Sequence, residues 1–147
     1  MTLRRIALPA LAAWIVDSIY GYAVFGVMLD SEFAAYRPAV FRDVEAMNSM
    51  LPLMFVSSLV GFVAVAYIFA KGHDGGSGVK EGFWFGVVLG ALMVFMVAIP
   101  SYAIYNIGPS VAYKTAAATF IEMVIDGLVL GLVYKPAPAA SRRAAGV

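Results

Sequence analysis

Four apolar runs, at residues 6–28, 51–70, 82–105 and 111–134, leave this chain few folds to choose from. Each is long enough to cross the hydrocarbon core of a bilayer as a helix, which takes about 20 residues. Inside that core every backbone N–H and C=O must be paired within the chain, so each run is read as a transmembrane helix. With 63% apolar and only 13% charged residues, the 147-residue chain has too few polar side chains to cover a soluble domain. Too little sequence lies between the runs for a second domain. The expected fold class is therefore all-α: one polytopic membrane domain over residues 1–134, a four-helix transmembrane bundle in up-down order. A Pro/Ala-rich tail at 135–147 follows it.

The connections give orientation and neighbours. Arg4 and Arg5 before an apolar run imitate a signal peptide, but the run is about twice a signal's apolar region and Asp17 interrupts it. Basic residues near the span ends divide unevenly. Arg4, Arg5, Lys71, Lys80, Lys135, Arg142 and Arg143 fall on one side, and Arg37, Arg42 and Lys114 on the other. The basic-rich side is the cytoplasmic one, so both termini are expected inside, in a bacterial plasma membrane.

The longest connection, residues 30–50, is expected outside. There Pro38 can start a short interfacial helix with Val40, Phe41, Val44 and Met47 on one face, or the segment is an ordinary covering loop. The inner loop "KGHDGGSGVKE" reads as a flexible glycine-rich turn. His73 and Asp74 adjoin in it without a third ligand, so no metal site is expected. The tight "NIGPSV" connection makes spans three and four antiparallel neighbours, with Ser110 as a candidate cap for the last helix.

Small residues mark where helices meet. Gly82, Gly86 and Gly90 recur every fourth residue in span three, as do Gly127 and Gly131 in span four and Ser57 and Gly61 in span two. Such spacing lets backbones approach closely where lipid offers no hydrophobic drive to associate. Trp84, Tyr102, Tyr105, Tyr113 and Tyr134 fall near span ends, as interfacial aromatics do.

One span carries more polarity than a membrane helix needs. At about 100° per residue, Thr115, Thr119, Glu122 and Asp126 share one face of span four, a stripe roughly 16 Å long. In span one, Ala10, Ala13, Asp17 and Gly21 share a face, with Ser18 and Tyr20 beside it. Asp17 and Glu122 lie at similar depth, so the three carboxyls come together if spans one and four touch. No Lys, Arg or His stands at that depth.

An intramembrane Asp costs about 2.5–3.5 kcal/mol, and each Leu, Ile, Phe or Val returns about 0.3–0.6. Span one has nine such apolar residues against one acid, and inserts unaided. Span four has ten against two acids and a weakly apolar start, and comes out marginal. Its stripe must face the bundle interior or a partner. Intramembrane acids often mark proton or cation paths, and they can equally act as hydrogen-bonded struts or meet cations of another subunit.

In length, apolar spans and endings such as "GLVLGLVYKP", the chain resembles small four-span bacterial inner-membrane families of unknown function. That resemblance brings no functional residue with it. Small multidrug transporters also have four spans and a membrane carboxylate. Theirs is a glutamate in the first helix, where this chain has Asp17, and they lack a counterpart of the segment at 30–50.

Two function classes follow. The first is an accessory or scaffold subunit, or a homo-oligomer, packing against other membrane subunits through the glycine faces. The second is a small proton- or cation-coupled transporter using Asp17, Glu122 and Asp126. An enzyme is not expected, because the chain has no cysteine and no recognised nucleophile–base pair. The net charge of +1 is scattered and offers no patch for nucleic acid, and no residue pattern names a cofactor.

Overall fold

Backbone hydrogen bonding continues beyond the ends that hydropathy suggests. The computed structural model describes residues 3–135, and among these there is no strand. Helix α1 spans Leu3–Gly21 and runs on as a π-helical turn, Tyr22–Met28. A short α2, Asp30–Ala34, follows, then α3, Val44–Gly72. Helix α4, Gly78–Met93, widens into a second π-helical turn, Val94–Ala98, and resumes as α5, Ile99–Ile104. Helix α6 is Pro109–Val133. Four continuous helical stretches, Leu3–Met28, Val44–Gly72, Gly78–Ile104 and Pro109–Val133, are long and apolar enough to span a membrane. The tail beyond residue 135, with Arg142 and Arg143, lies outside the described residues.

The π-helical turn in span three has an identifiable cause. Pro100 has no N–H to donate to the carbonyl four residues back, and its ring crowds that carbonyl. The carbonyl belongs to Met96, inside the widened turn. The turn in span one begins directly after Gly21 and contains Gly26, without a proline.

Three connections differ from the sequence reading. No helix starts at Pro38, which sits in a turn over residues 35–40; the short helix lies earlier, at Asp30–Ala34. Phe41 packs edge-on against Phe33 and Tyr36, with ring centroids 5.2 and 6.4 Å away, instead of forming one face with Val44 and Met47. Those two belong to span two, which begins at Val44 and not near residue 51. The Asp43 carboxylate accepts from the Ala46 N–H at 2.8 Å and fixes that start. Hydropathy marks where a helix leaves hydrocarbon, not where its hydrogen bonds end. At 29 residues α3 is roughly 43 Å long, against about 30 Å of hydrocarbon.

Ser110 does not cap the last helix. Gly108 holds the cap position without a side-chain bond, and Pro109 takes the first helical place, where a missing N–H costs nothing. The Gly108 N–H instead donates to the Tyr36 hydroxyl at 2.8 Å.

The glycine-rich loop between spans two and three is organised around one carboxylate. Glu81 accepts from the backbone N–H groups of Asp74 (3.2 Å) and Gly76 (2.8 Å) and pairs with His73. Ser77 caps α4, and Gly75 adopts φ 90°, a conformation that favours glycine. The buried His73 ring lies against Phe69 and Tyr134.

The spans pack in the order two, one, four, three. α1 contacts both α3 and α6, and α4 contacts α6 most extensively. Between α4 and α6 the glycines bring backbone onto backbone. A Cβ built on Gly82 would stand 2.3 Å from the Gly127 carbonyl oxygen, and one on Gly131 would stand 2.0 Å from that of Gly78. Ile6, Ala10 and Ala13 of α1, Phe62, Ala66 and Phe69 of α3, and Leu130 of α6 form the apolar core. That core occupies the half of the molecule near the chain ends, here the terminal end. The opposite half, beneath the connection between spans one and two, is here the strap end.

Candidate intramembrane carboxyl site

α1 can approach α6 because it offers small residues there. Ala10 and Ala13 are fully buried, and one turn further on the same face come Asp17 and then Gly21. The bare Gly21 leaves room for a side chain from the other helix: a Cβ there would lie 3.7 Å from Glu122 Oε1. Glu122 therefore reaches across the interface to α1. Beside it the Tyr20 hydroxyl donates to the Ala118 carbonyl at 2.9 Å and fixes the register of the two helices.

The structure brings Asp17, Glu122 and Asp126 within electrostatic reach of one another. Asp17 is half-buried, Glu122 is buried, and Asp126 is only 1% exposed. Neither oxygen of Asp126 has a hydrogen-bond partner. Further along the stripe toward the strap end, Thr119 is half-buried, and the Thr115 hydroxyl is buried and also unpartnered. Ser18 does not join the group, because its hydroxyl donates to the Trp14 carbonyl of its own helix.

Nearby cations are already engaged elsewhere. Lys114 pairs with Glu32, Arg37 with Asp30, and His73 with Glu81, all at the ends of the spans. Among the described residues, no three Asp, Glu, His or Cys side chains form a group able to hold a metal ion. The three carboxyls are neighbours without converging on one point.

A buried polar atom without a partner costs about 1–3 kcal/mol, and more if it is charged. Asp126 has two. A helix merely needing a strut would aim its carboxyl at a donor, as Asp43 and Glu81 do. Asp126 thus differs from Asp43 and Glu81, whose carboxylates accept from backbone N–H groups.

The packing glycines divide differently. Gly82, Gly86 and Gly90 of α4 are buried against Gly127, Met123, Val124, Phe120 and Gly131 of α6. They meet inside the chain and offer no surface to another subunit. On α3, by contrast, a Cβ at Gly61 meets nothing within 4 Å, and the Ser57–Gly61 face is open.

Two contacts escaped sequence reasoning. The Trp14 indole N–H donates to Ser58 Oγ at 3.0 Å and to the Phe55 carbonyl at 3.2 Å, joining α1 to α3. The Tyr36 hydroxyl and the Glu32–Lys114 pair strap the first connection to the start of α6. The first had a faint signal, since a buried indole N–H needs an acceptor and span two offers the adjacent pair Ser57 and Ser58. Nothing local signalled the second. Comparisons with protein-family models, curated proteins and solved structures found no match to this chain.

Proposed function

We propose that this multi-pass membrane protein is a small proton- or cation-coupled transporter, with Asp126, Glu122 and Asp17 as its coupling site. The observation that carries the reading is Asp126: 1% exposed, at membrane depth, with both carboxyl oxygens unpartnered. Intramembrane acids mark proton and ion paths, and an unpartnered one leaves its lone pairs available to a mobile positive charge. The seven-to-three division of basic residues supports an orientation with both termini in the cytoplasm of a bacterial cell.

Purified protein in sealed vesicles with an entrapped pH indicator tests the reading. Under an imposed pH gradient and membrane potential, proton entry should exceed that of protein-free vesicles, and Asp126→Asn should reduce it at least tenfold. Wild-type flux equal to the protein-free baseline, with and without added monovalent cations, removes the proposal.

The accessory-subunit reading retains one specific support, the open Ser57–Gly61 face of α3. It can no longer rest on the glycines of spans three and four, which pack against each other. A stoichiometric larger partner recovered in mild detergent, and lost in Gly61→Leu, would favour it.

A further inference from the structure

Resting on the coupling site just proposed, we infer that its charge is a proton and that it arrives from the strap end, along Thr115 and Thr119, past a mouth closed by the Glu32–Lys114 pair.

The choice of a proton follows from space and ligands. Two large cavities lie away from the carboxyls. A groove of about 570 Å³ between the outer halves of spans three and four is lined by Val94, Tyr102, Ala116 and Phe120 among others. A second, of about 620 Å³, sits over the inner loop near Asp74, Lys80 and Trp84. Neither is lined by Asp17, Glu122 or Asp126, so these two chambers for an organic cation lie away from the carboxyls. Nor do the three form a metal-ligand group. A proton needs only a lone pair, and Asp126 has free ones.

The direction follows from how buried residues are distributed. Between the carboxyls and the terminal end stand Ile6, Ala10, Ala13, Phe69 and Leu130, with Ala10, Ala13 and Leu130 at 0% exposure. Those five side chains carry no polar group; the His73 ring and Tyr134 pack on Phe69 at the far side of the layer, where His73 is paired with Glu81. On the other side, Thr119 and Thr115 follow Glu122 at three- and four-residue steps, about 4.5–6 Å of rise each. One water between successive groups bridges such a step. The Thr115 hydroxyl, buried and without a partner, is left free to join that chain.

Neighbouring elements supply no competing route. α1 presents Asp17 and Tyr20 to the site. α4 and its π-helical turn carry no titratable residue from Gly82 to Ala98, and α5 adds only Tyr102, in the outer groove. Lys80 and Glu81 lie at the terminal end, Glu81 with His73. At the strap end, Lys114 precedes Thr115 directly and is held by Glu32 of α2, while Tyr36 holds Gly108. This strap covers the start of the stripe.

The cysteine-free chain makes the route testable. In lipid nanodiscs, where both faces are accessible, Thr115→Cys, Thr119→Cys and Leu130→Cys would each be treated with a small cationic methanethiosulfonate. The threonine positions should react at least tenfold faster than Leu130→Cys. Adding Glu32→Gln should accelerate Thr119→Cys further, at least threefold. Rapid reaction at Leu130→Cys with none at Thr119→Cys overturns the direction, and an unchanged Thr119→Cys rate in Glu32→Gln overturns the mouth. Asp126→Asn flux separates the two readings: if it is lost while the threonine positions stay unreactive, this route fails and the coupling site stands.

Discussion

Asp126 and Tyr20 show how opposite roles are written in single side chains. Tyr20 gains a bond to Ala118, so Tyr20→Phe is expected to cost about 0.5–1.5 kcal/mol, read as a lower melting temperature in detergent. Asp126 has no partner to lose. Asp126→Asn keeps its shape and removes no hydrogen bond, so it should lower the melting temperature less than Tyr20→Phe does. A carboxyl serving as a strut would instead cost about 1–3 kcal/mol on substitution. The combination expected is a small effect on melting and a strong one on proton flux. Glu122→Gln should likewise stay folded, whereas Glu122→Ala withdraws the side chain that meets α1 at Gly21.

At the level of elements, glycine has two meanings here. A Cβ on Gly86 would come within 2.6 Å of the Met123 carbonyl oxygen and 2.8 Å of Val124 Cα, both backbone atoms that cannot step aside. Gly86→Ala should therefore destabilise the α4–α6 pair by about 1–3 kcal/mol, as overpacking does. Gly61→Ala meets nothing, and should be neutral or stabilise by up to about 1 kcal/mol through helix propensity. Thermal denaturation of the two variants in one detergent checks the contrast, and equal melting temperatures would deny that α4 and α6 pack through these residues. The sequence spacing is the same four residues in both helices. Only the neighbour differs.

Across the whole molecule, the even number of candidate spans puts Leu3 and Val133 at the same end of the bundle, where Ile6, Phe69 and Leu130 form the core. Which side it is rests on the positive-inside asymmetry. Ser77→Cys should resist an impermeant maleimide added to intact cells and react after lysis, and Ala39→Cys should show the reverse. Labelling of Ser77→Cys from outside would invert the orientation, and with it the compartment from which the strap end is reached.

Span number and span character were legible in the sequence because partition into lipid is a property each residue carries with it, and summing over about 20 residues drowns local exceptions. The polar face of α6 was legible for a similar reason, since Thr115, Thr119, Glu122 and Asp126 repeat with the helix period. What sequence left open was every choice that depends on a neighbour. Val44–Met50 is polar enough to read as loop, yet Asp43 caps it and α3 carries it past the membrane. Gly76 reads as flexible, yet it donates to Glu81. Most consequential is Asp126: periodicity placed it on a polar face, but only the packing of α1 against α6 decided that no donor would meet it. A hydrogen bond needs a second group within about 3 Å, and for residues more than a hundred positions apart in the chain that distance is set by tertiary packing alone.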